Sequence, residues 1–259
     1  MIAAELLGRL GNQMFIISTA YSLALDNNDK CVFPYKSSGI IPSDKQTQIY
    51  FKTIYKNLNF TDSFNFIENT HYEPEDQSYL KIDYKPNLLL KGYFQSEKYF
   101  SHNREKILEL FKPIKEVENF INKKYDKIFT EDYVSVHIRR GDYLRLSDYH
   151  TVLNKEYYDK SMSLFKDKSF VFFSDDIEWC KNTFNNDKNI FIDNQDDVLD
   201  LYLMSKIKNN IIANSSFSWW AAWLNQNKDK QIIAPKNWFA HKNSHLNIKD
   251  LIPENWIVI

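Results

Sequence analysis

Glycine is scarce in this chain, with five among 259 residues. A glycine-rich phosphate cradle is excluded accordingly: neither G-x-G-x-x-G nor G-x-x-x-x-G-K-[ST] occurs. Cysteine is scarcer still. Cys31 and Cys180 stand far apart among apolar neighbours, and they read as small buried hydrophobes rather than a disulfide or a metal pair. Charge of one sign is missing too. Lys and Arg total 33 against 34 Asp and Glu, a net charge of -1, so no global field draws in nucleic acid, and none is expected as a partner. No strict Asp-x-Asp and no His or Cys cluster at zinc spacing occurs, which argues against a metal site. Long hydrophobic runs are absent. The longest, near 211–224, is broken by Asn214, Ser215, Ser216 and Ser218, short of the roughly 18–20 apolar residues that span a bilayer. The opening MIAAELLGRLGNQMF lacks a basic n-region and is interrupted by Glu5 and Arg9, so it is not a signal peptide, and a cytoplasmic location is expected.

What is present is regular. Residues 2–7 form a short apolar strand, Gly8 and Gly11 bracket a turn, and Met14, Ile17, Tyr21, Ala24 and Leu25 fall at helical spacing. A second strand, 31–33, stops at Pro34. Residues 49–58 suit a helix, 59–87 read as polar and irregular, and 88–94 return to strand, with Ser96 placed to cap a helix. Helices are expected at 103–111 and 114–125, on either side of Pro113. Strands at 133–138, 170–173, 189–192, 210–213 and 231–234 then alternate with helices at 155–165, 176–184, 198–205 and 217–224. That alternation argues a doubly wound parallel sheet, whose ligands sit outside the carboxyl ends of the strands. The loops 139–150, 174–176, 193–197 and 214–218 are therefore where chemistry is expected. A boundary between two lobes is expected near 126–132, giving 1–128 and 129–259.

The strongest local signal is Val136-His137-Ile138-Arg139-Arg140-Gly141-Asp142-Tyr143. An arginine at the end of a buried strand is placed to fork onto a phosphate, and its planar donors match phosphate oxygens. Adjacent residues of a strand point to opposite faces, so one arginine is expected to bind phosphate and the other to bridge an acid, Asp142 or a carboxylate in the sheet's other layer. His137 shares a face with Arg139; such a histidine serves either the core or the site. A second signal is Ile211-Ile212-Ala213-Asn214-Ser215-Ser216-Phe217. There a strand ends, small hydroxyl residues follow and a helix begins, which makes either a plain N-cap or an anion site. The third, Gly8-Arg9-Leu10-Gly11-Asn12-Gln13, offers close backbone approach and an amide, and is weak alone. Among acids, Asp175, Asp176, Asp196 and Asp197 are candidates, with Asp196 or Asp197 suited to cap a helix. Asp200 sits in the apolar stretch Val198–Leu203 and needs a partner there, which a purine with adjacent N–H donors would supply.

At GRLGNQMF (8–15), GYFQSEKYF (92–100), VHIRRGDY (136–143), FFSDD (172–176) and ANSSFSWWAAWL (213–224) the sequence resembles the alpha-1,2-fucosyltransferases of glycosyltransferase family 11. The resemblance implies an α/β, GT-B-like architecture of two lobes. An acceptor-side lobe (1–128) would contribute Asn12, and a Rossmann-like lobe (129–259) would bind GDP-fucose. It implies inverting transfer of L-fucose to the 2-hydroxyl of a terminal galactoside, no cofactor beyond the co-substrate and no obligatory metal. The acceptor would be an oligosaccharide or glycolipid, with peripheral membrane contact through a lipid-linked acceptor. By motif position Arg139 would bind the β-phosphate, His137 would lie beside the nucleotide, and Asn12 with Gly11 would reach the pyrophosphate. Ser215, Ser216 and Phe217 would hold phosphate at the helix start, Asp200 would read guanine, and Arg140 and Asp142 would be structural. A base for the acceptor is sought among Asp142, Asp148 and His150, with His150 favoured by position. The alternatives are a non-catalytic glycan- or nucleotide-binding protein on the same fold, and a transferase of another nucleotide sugar.

Overall fold

The computed structural model describes residues 1–35, 45–193 and 195–259. The chain divides into two compact units, Met1–Pro113 with Leu246–Pro253, and Ile114–His245 with Glu254–Ile259. The boundary thus falls at Pro113, ahead of the expected 128/129. The reason is packing: the helix Lys115–Lys124 (α4 below) packs against Asp197–Lys206 of the second unit.

The first unit contains β1 (Ile2–Ala4), α1 (Leu10–Asp26), β2 (Cys31–Pro34), α2 (Lys45–Lys52), β3 (Phe60–Thr61), β4 (Asn69–Tyr72), β5 (Leu88–Lys91) and α3 (Arg104–Leu110). Its strands pair in parallel in the order β3-β2-β1-β5-β4. β1 is wholly buried and α1 packs on it; Met14, Phe15, Ile16 and Ile17 of α1 are all fully buried, so that turn of the helix is enclosed all round. Gly8 takes φ +69, the left-handed turn that lets a three-residue strand feed a helix. The helix stops at a left-handed Asn28, with Asp29 N–H reaching back to the Ala24 carbonyl.

Here the structure departs from the sequence pattern. Gly11 lies inside the first turn of α1 rather than in the preceding loop. The polar stretch 59–87 holds two strands, β3 and β4. Both are edge strands, and β4 alternates half-buried and exposed residues without an apolar stripe. The helix expected at 49–58 begins at Lys45 and ends at Lys52. Ser96 does cap, but it caps a short 3₁₀ turn, Glu97–Tyr99, by accepting from Lys98 N–H.

The second unit contains α4 (Lys115–Lys124), α5 (Asp126–Thr130), β6 (Tyr133–Ile138), α6 (Gly141–Arg145), α7 (Lys155–Ser163), β7 (Ser169–Ser174), α8 (Ile177–Thr183), β8 (Ile190–Phe191), α9 (Asp197–Lys206), β9 (Asn209–Ile211), α10 (Ser216–Leu224), β10 (Ile232–Ala234) and β11 (Ile257–Val258). The sheet is parallel throughout, in the order β11-β10-β9-β6-β7-β8. The expected doubly wound lobe is present, with one further edge strand, β11, and a short helix, α6, directly after the arginine pair. All six residues of β6 are buried, as a strand flanked on both sides requires. From Ser218 to Leu224 α10 is buried on every face. Its Trp219, Trp220 and Trp223 pack together with Trp256, at ring separations of 5.2 to 6.3 Å. Asn154, Asp176 and Asp196 cap α7, α8 and α9 with side-chain oxygens.

One polar knot holds the sheet to its helices. Asn225, fully buried, donates from Nδ2 to the carbonyls of Ile207 (2.9 Å) and Lys208 (3.1 Å) and to Asn210 Oδ1 (2.8 Å). Asn210 in turn donates to Ser135 Oγ on β6 at 2.6 Å. An aspartate at 225 would set a carboxylate oxygen against three acceptors. Asn225→Asp is expected to lower unfolding stability by about 3 kcal/mol or more, since buried acceptors lose their donor and a charge is added. Chemical denaturation checks this, and an unchanged midpoint would refute it.

Candidate active site

β6 is the first strand of its sheet. β7 and β8 follow on one side of it, then the chain crosses to β9 on the other. The reversal of strand order therefore lies between β6 and β9, the place where open parallel sheets hold ligands. Two turns flank it: the one leaving β6, Arg139–Tyr143, and the one leaving β9, Asn214–Phe217. They are joined directly, because Tyr143 donates its hydroxyl to the Asn214 carbonyl at 3.0 Å.

The two arginines take separate partners. Arg139 donates from Nη2 to Asp142 Oδ1 at 2.6 Å and lies with Nη1 3.0 Å from Asp175 Oδ2. Its guanidinium stands over the Tyr143 ring, 5.4 Å from the centroid. Arg140 donates from Nε to Asp176 Oδ2 at 3.0 Å and stacks on Trp179 at 4.0 Å. The acid of Arg140 is therefore Asp176, the cap of α8, and Asp142 belongs to Arg139. The cause is local: α6 starts at Gly141 and brings Asp142 round to residue 139. Asp175 ties the motif further by accepting the Arg140 N–H at 2.9 Å. Gly141 is required by space here, since a Cβ would come within 2.6 Å of Asp175 Oδ2.

His137 faces the same side of β6 as Arg139. Its ring is 6% exposed and lies 5.6 Å from that of Phe217, in the first turn of α10. Burial pushes its pKa down to about 4, with Arg139 acting in the same direction and Asp175 against it. The ring is therefore neutral at pH 7, and its Nδ1 is buried with no partner among the described residues. Such an atom fits a ligand group. At the start of α10, Ser215 N–H donates to the Ala213 carbonyl at 2.8 Å, and its side chain makes no cap bond. What Ser215 can offer an anion is its hydroxyl, while Ser216 and Phe217 carry the first-turn N–H groups.

His150 stacks on Tyr143 at 4.3 Å, the two rings nearly parallel. Burial lowers its pKa, which leaves a neutral imidazole able to accept a proton. Asp148 is exposed and paired with Lys242 at 2.9 Å. Asn214 donates to the carbonyls of Thr151 (2.9 Å) and Trp238 (2.7 Å), which stitches the loop carrying His150 to the β9 turn. Arg139, Asp142, Tyr143, His150, Asp175 and, through Tyr143, the Asn214 turn thus form one cluster, with His137 and Phe217 beside it.

Three expected site residues, Asp200, Asn12 and Gly11, stand outside that cluster. Asp200 lies on α9, which packs along α10. Gln195 donates to its Oδ1 at 2.9 Å, and Tyr125 donates to Gln195 Oε1. Residue 194, in the same candidate loop, lies outside the described residues. Asn12 belongs to the first unit, in the first turn of α1, where its Oδ1 accepts from Gln95 Nε2 at 2.9 Å. The motif signal drew attention to Arg139 without revealing Tyr143 or Trp179, whose roles depend on the stacking that α6 and α8 create. Among the described residues no three His, Cys, Asp or Glu side chains gather as metal ligands, and no helix is long and apolar enough to cross a membrane.

The model of glycosyl transferase family 11 matches residues 1–259. The chain belongs to that family. Among similar proteins, the O-antigen biosynthesis glycosyltransferase WbnK of Escherichia coli is 32% identical, over 96% of this chain and 97% of that protein. An alpha-1,2-colitosyltransferase of Escherichia coli is 32% identical, over 100% and 99%. The galactoside 2-alpha-L-fucosyltransferase SEC1 of Bos taurus is 26% identical, over 84% of this chain and 62% of that protein. Among solved structures, the fucosyltransferase NodZ from Bradyrhizobium shares the fold with a TM-score of 0.56 at 13% identity, over 85% of this chain and 92% of that one. The family 11 chain is thus a nucleotide-sugar glycosyltransferase with a GT-B-like α/β fold of parallel sheets.

Asp200 gives a stability test. Burial raises its pKa from 3.8 to about 7, Asp197 and Asp196 push the same way, and the Gln195 amide opposes them. The unfolded chain therefore releases this proton first as pH rises. The group's contribution to stability is complete below about 3.8 and is lost progressively up to about 7. Asp200→Asn cannot ionise. The ligand-free variant is expected to melt several degrees above the parent at pH 8, with the gap shrinking toward pH 4.5, as read by calorimetry. Equal melting at pH 8 would show that ionised Asp200 is well accommodated.

Proposed function

We propose that this family 11 enzyme transfers L-fucose from GDP-fucose to the 2-hydroxyl of a terminal galactoside, with inversion and release of GDP. One observation carries the reading. An arginine leaves the central strand at the strand-order reversal, pre-oriented by two carboxylates, beside the start of a buried helix. The linkage in the names of the bovine and colitosyl relatives supports attack by a 2-hydroxyl. The acceptor is an oligosaccharide or glycolipid, and a lipid-linked one would bring the enzyme to a membrane surface.

The chemistry follows from charge. Cleavage of the fucose–phosphate bond leaves a cationic sugar and a GDP of rising negative charge. Arg139 and the Ser215–Phe217 helix start are fixed donors aimed at that charge and require little rearrangement during the reaction. With two carboxylates on the Nη atoms of Arg139, a phosphate either shares the fork or displaces one of them. His137, neutral, takes a hydrogen bond from the nucleotide at its buried Nδ1. Asp200 in its ionised form accepts the two adjacent N–H donors of guanine. Neutral His150 is the residue suited to take the acceptor proton. Asn12 reaches the pyrophosphate from the first unit. No step calls for a metal.

A second donor deserves an arm of the same experiment, because the colitosyltransferase relative aligns over the full chain. The test is GDP release from GDP-fucose and from GDP-colitose, with and without a β-galactoside, followed by NMR of the product linkage. Acceptor-dependent release with an α-1,2 fucosyl product is expected. Turnover of GDP-colitose alone transfers the reading to that sugar, and no release with either makes the chain a binding protein.

Two further outcomes are expected in that assay. Turnover survives EDTA undiminished; loss restored by manganese or magnesium would overturn metal independence. Arg139→Lys keeps the fold but loses the planar fork, so kcat/KM falls by roughly 10²-fold or more, the cost of a lost transition-state donor. Arg140→Lys instead lowers Tm, through Asp176 and Trp179, and leaves most of the turnover. The reverse pattern, with Arg139→Lys active and Arg140→Lys folded but dead, would invert the assignment.

A further inference from the structure

A cavity of about 550 Å³ lies wholly within the first unit. That volume falls inside the roughly 300–1,000 Å³ of small-ligand sites. One wall is the second half of α1, where Thr19, Leu23 and Asp26 fall four and three apart on one face. The other wall is the crossover from β4 to β5, which brings Tyr79, Ile82 and Tyr84, and the turn at Tyr99 closes it. α1 leaves the carboxyl end of β1 and runs back, so this face of the helix lies toward the amino ends of the strands. Two contacts mark that end: the Met1 amino group pairs with Asp29 at 2.9 Å, and the Tyr84 hydroxyl donates to Asp29 at 3.2 Å. The cavity therefore stands apart from the loops that follow β1 and β5.

The lining sets aromatic rings beside groups that bind hydroxyls. Tyr79 and Tyr99 stand 4.8 Å apart at 57°, and Tyr84 is partly exposed. Rings of this kind cover the C–H faces of a sugar while their hydroxyls stay polar. The polar groups between them are held in place. Asp26 accepts from Asn103 Nδ2 at 2.7 Å and pairs with His102 at 2.8 Å. Asn27 donates from Nδ2 to the Leu23 carbonyl at 2.8 Å, which leaves its Oδ1 as an acceptor. Asp26 and Asp83 balance Lys81 and Lys98, and Lys98 is itself bound to Asp250. An anionic nucleotide meets no surplus cation here, whereas a neutral ligand rich in hydroxyls meets rings and acceptors together. Thr19 adds an independent sign. It is 1% exposed, and its Oγ1 is buried with no partner among the described residues. A helical threonine divides between two χ1 rotamers, so this hydroxyl can turn to a ligand group that enters.

We propose that this cavity is a second carbohydrate site, which takes a neutral oligosaccharide apart from the transfer reaction. Tyr79 and Tyr84 supply the stacking faces, Asn27 and Asp83 the acceptors, and Thr19 a hydroxyl at the helix wall. The site rests on its own lining, and on none of the residues assigned to donor or acceptor chemistry. In a glycosyltransferase such a site holds a glycan chain close by while the nucleotide exchanges.

The methyl groups of Leu23 and Ile82 report on the cavity by NMR. The full chain is titrated with lacto-N-neotetraose, a neutral β-galactosyl tetrasaccharide, and separately with GDP. Saturable shifts of both methyl signals are expected with the tetrasaccharide and not with GDP. Thr19→Val keeps the shape and removes the hydroxyl. It is expected to weaken the tetrasaccharide about fivefold or more, the worth of one hydrogen bond, while Tm holds or rises because an unsatisfied buried atom is gone. Tyr84→Ala, at a partly exposed position, is expected to weaken it by a similar factor through the lost ring face. Turnover of the nucleotide sugar with methyl β-galactoside is expected to be unchanged in both variants. No shift at Leu23 and Ile82, equal shifts with GDP, or parent-like affinity in either folded variant overturns the site. Turnover lost together with binding makes the cavity part of the transfer site and overturns its independence. No turnover in the parent sinks the proposed function and leaves the titration standing. If Thr19→Val fails to fold, Tyr84→Ala decides.

Discussion

The guanidinium of Arg139, held between Asp142 and Asp175, sets the geometry at the carboxyl end of β6. Asp175 also takes the Arg140 N–H, and its oxygen occupies the space that forces residue 141 to be glycine. Arg139 is 17% exposed, so these pairs are neither ordinary surface bridges, worth about 0–1 kcal/mol, nor buried ones whose desolvation cancels the gain. Their value lies in orientation. A guanidinium with two fixed contacts has little freedom left to lose on meeting the phosphate proposed for it, which is the condition under which electrostatic stabilisation costs little rearrangement. Arg140 supports the arrangement from the other side, since Asp176 caps α8 while holding that arginine above Trp179.

Much of this was legible in the amino-acid order, and the failures have physical causes. The strands around β6 announce themselves as apolar runs because parallel strands are buried on both faces. β3, β4 and β11 escape notice: they are edge strands of two to four residues, and Asn69–Tyr72 carries no apolar stripe. The place of Arg139 at a strand end followed from VHIRRGDY, and the separation of the two arginines followed from strand alternation. Their acids did not follow, because the short helix α6 rotates Asp142 toward 139 and a loop from another strand supplies Asp176. The cavity beside α1 was invisible for the same reason. Its two walls are brought together by the crossover from β4 to β5, which one sequence does not display.

The candidate site holds two buried polar atoms that no described protein group satisfies. Asn214 Oδ1 and His137 Nδ1 are buried without partners among the described residues, and Asp200 sits on an otherwise apolar stretch. Elsewhere buried amides such as Asn225 and Asn210 are satisfied several times over. Unsatisfied polar atoms cost stability; Thr19, His71 and Tyr158 carry others elsewhere, and the two at the strand-order reversal lie where a ligand group can meet them.

The path of the chain has a consequence for how the protein is made. The first unit includes Leu246–Pro253, where Asp250 accepts the Tyr79 N–H at 3.2 Å and binds Lys98, and where Leu251 is buried. On the ribosome, the first 113 residues emerge without that brace and must wait until the second unit has been almost fully translated. Its sheet in turn gains the β11 edge only when the chain returns at Glu254. The two units are therefore threaded through each other in time, and a cut at Pro113 is unequal: the first fragment loses Leu246–Pro253 of its own unit, while the second keeps its whole unit and carries that segment besides.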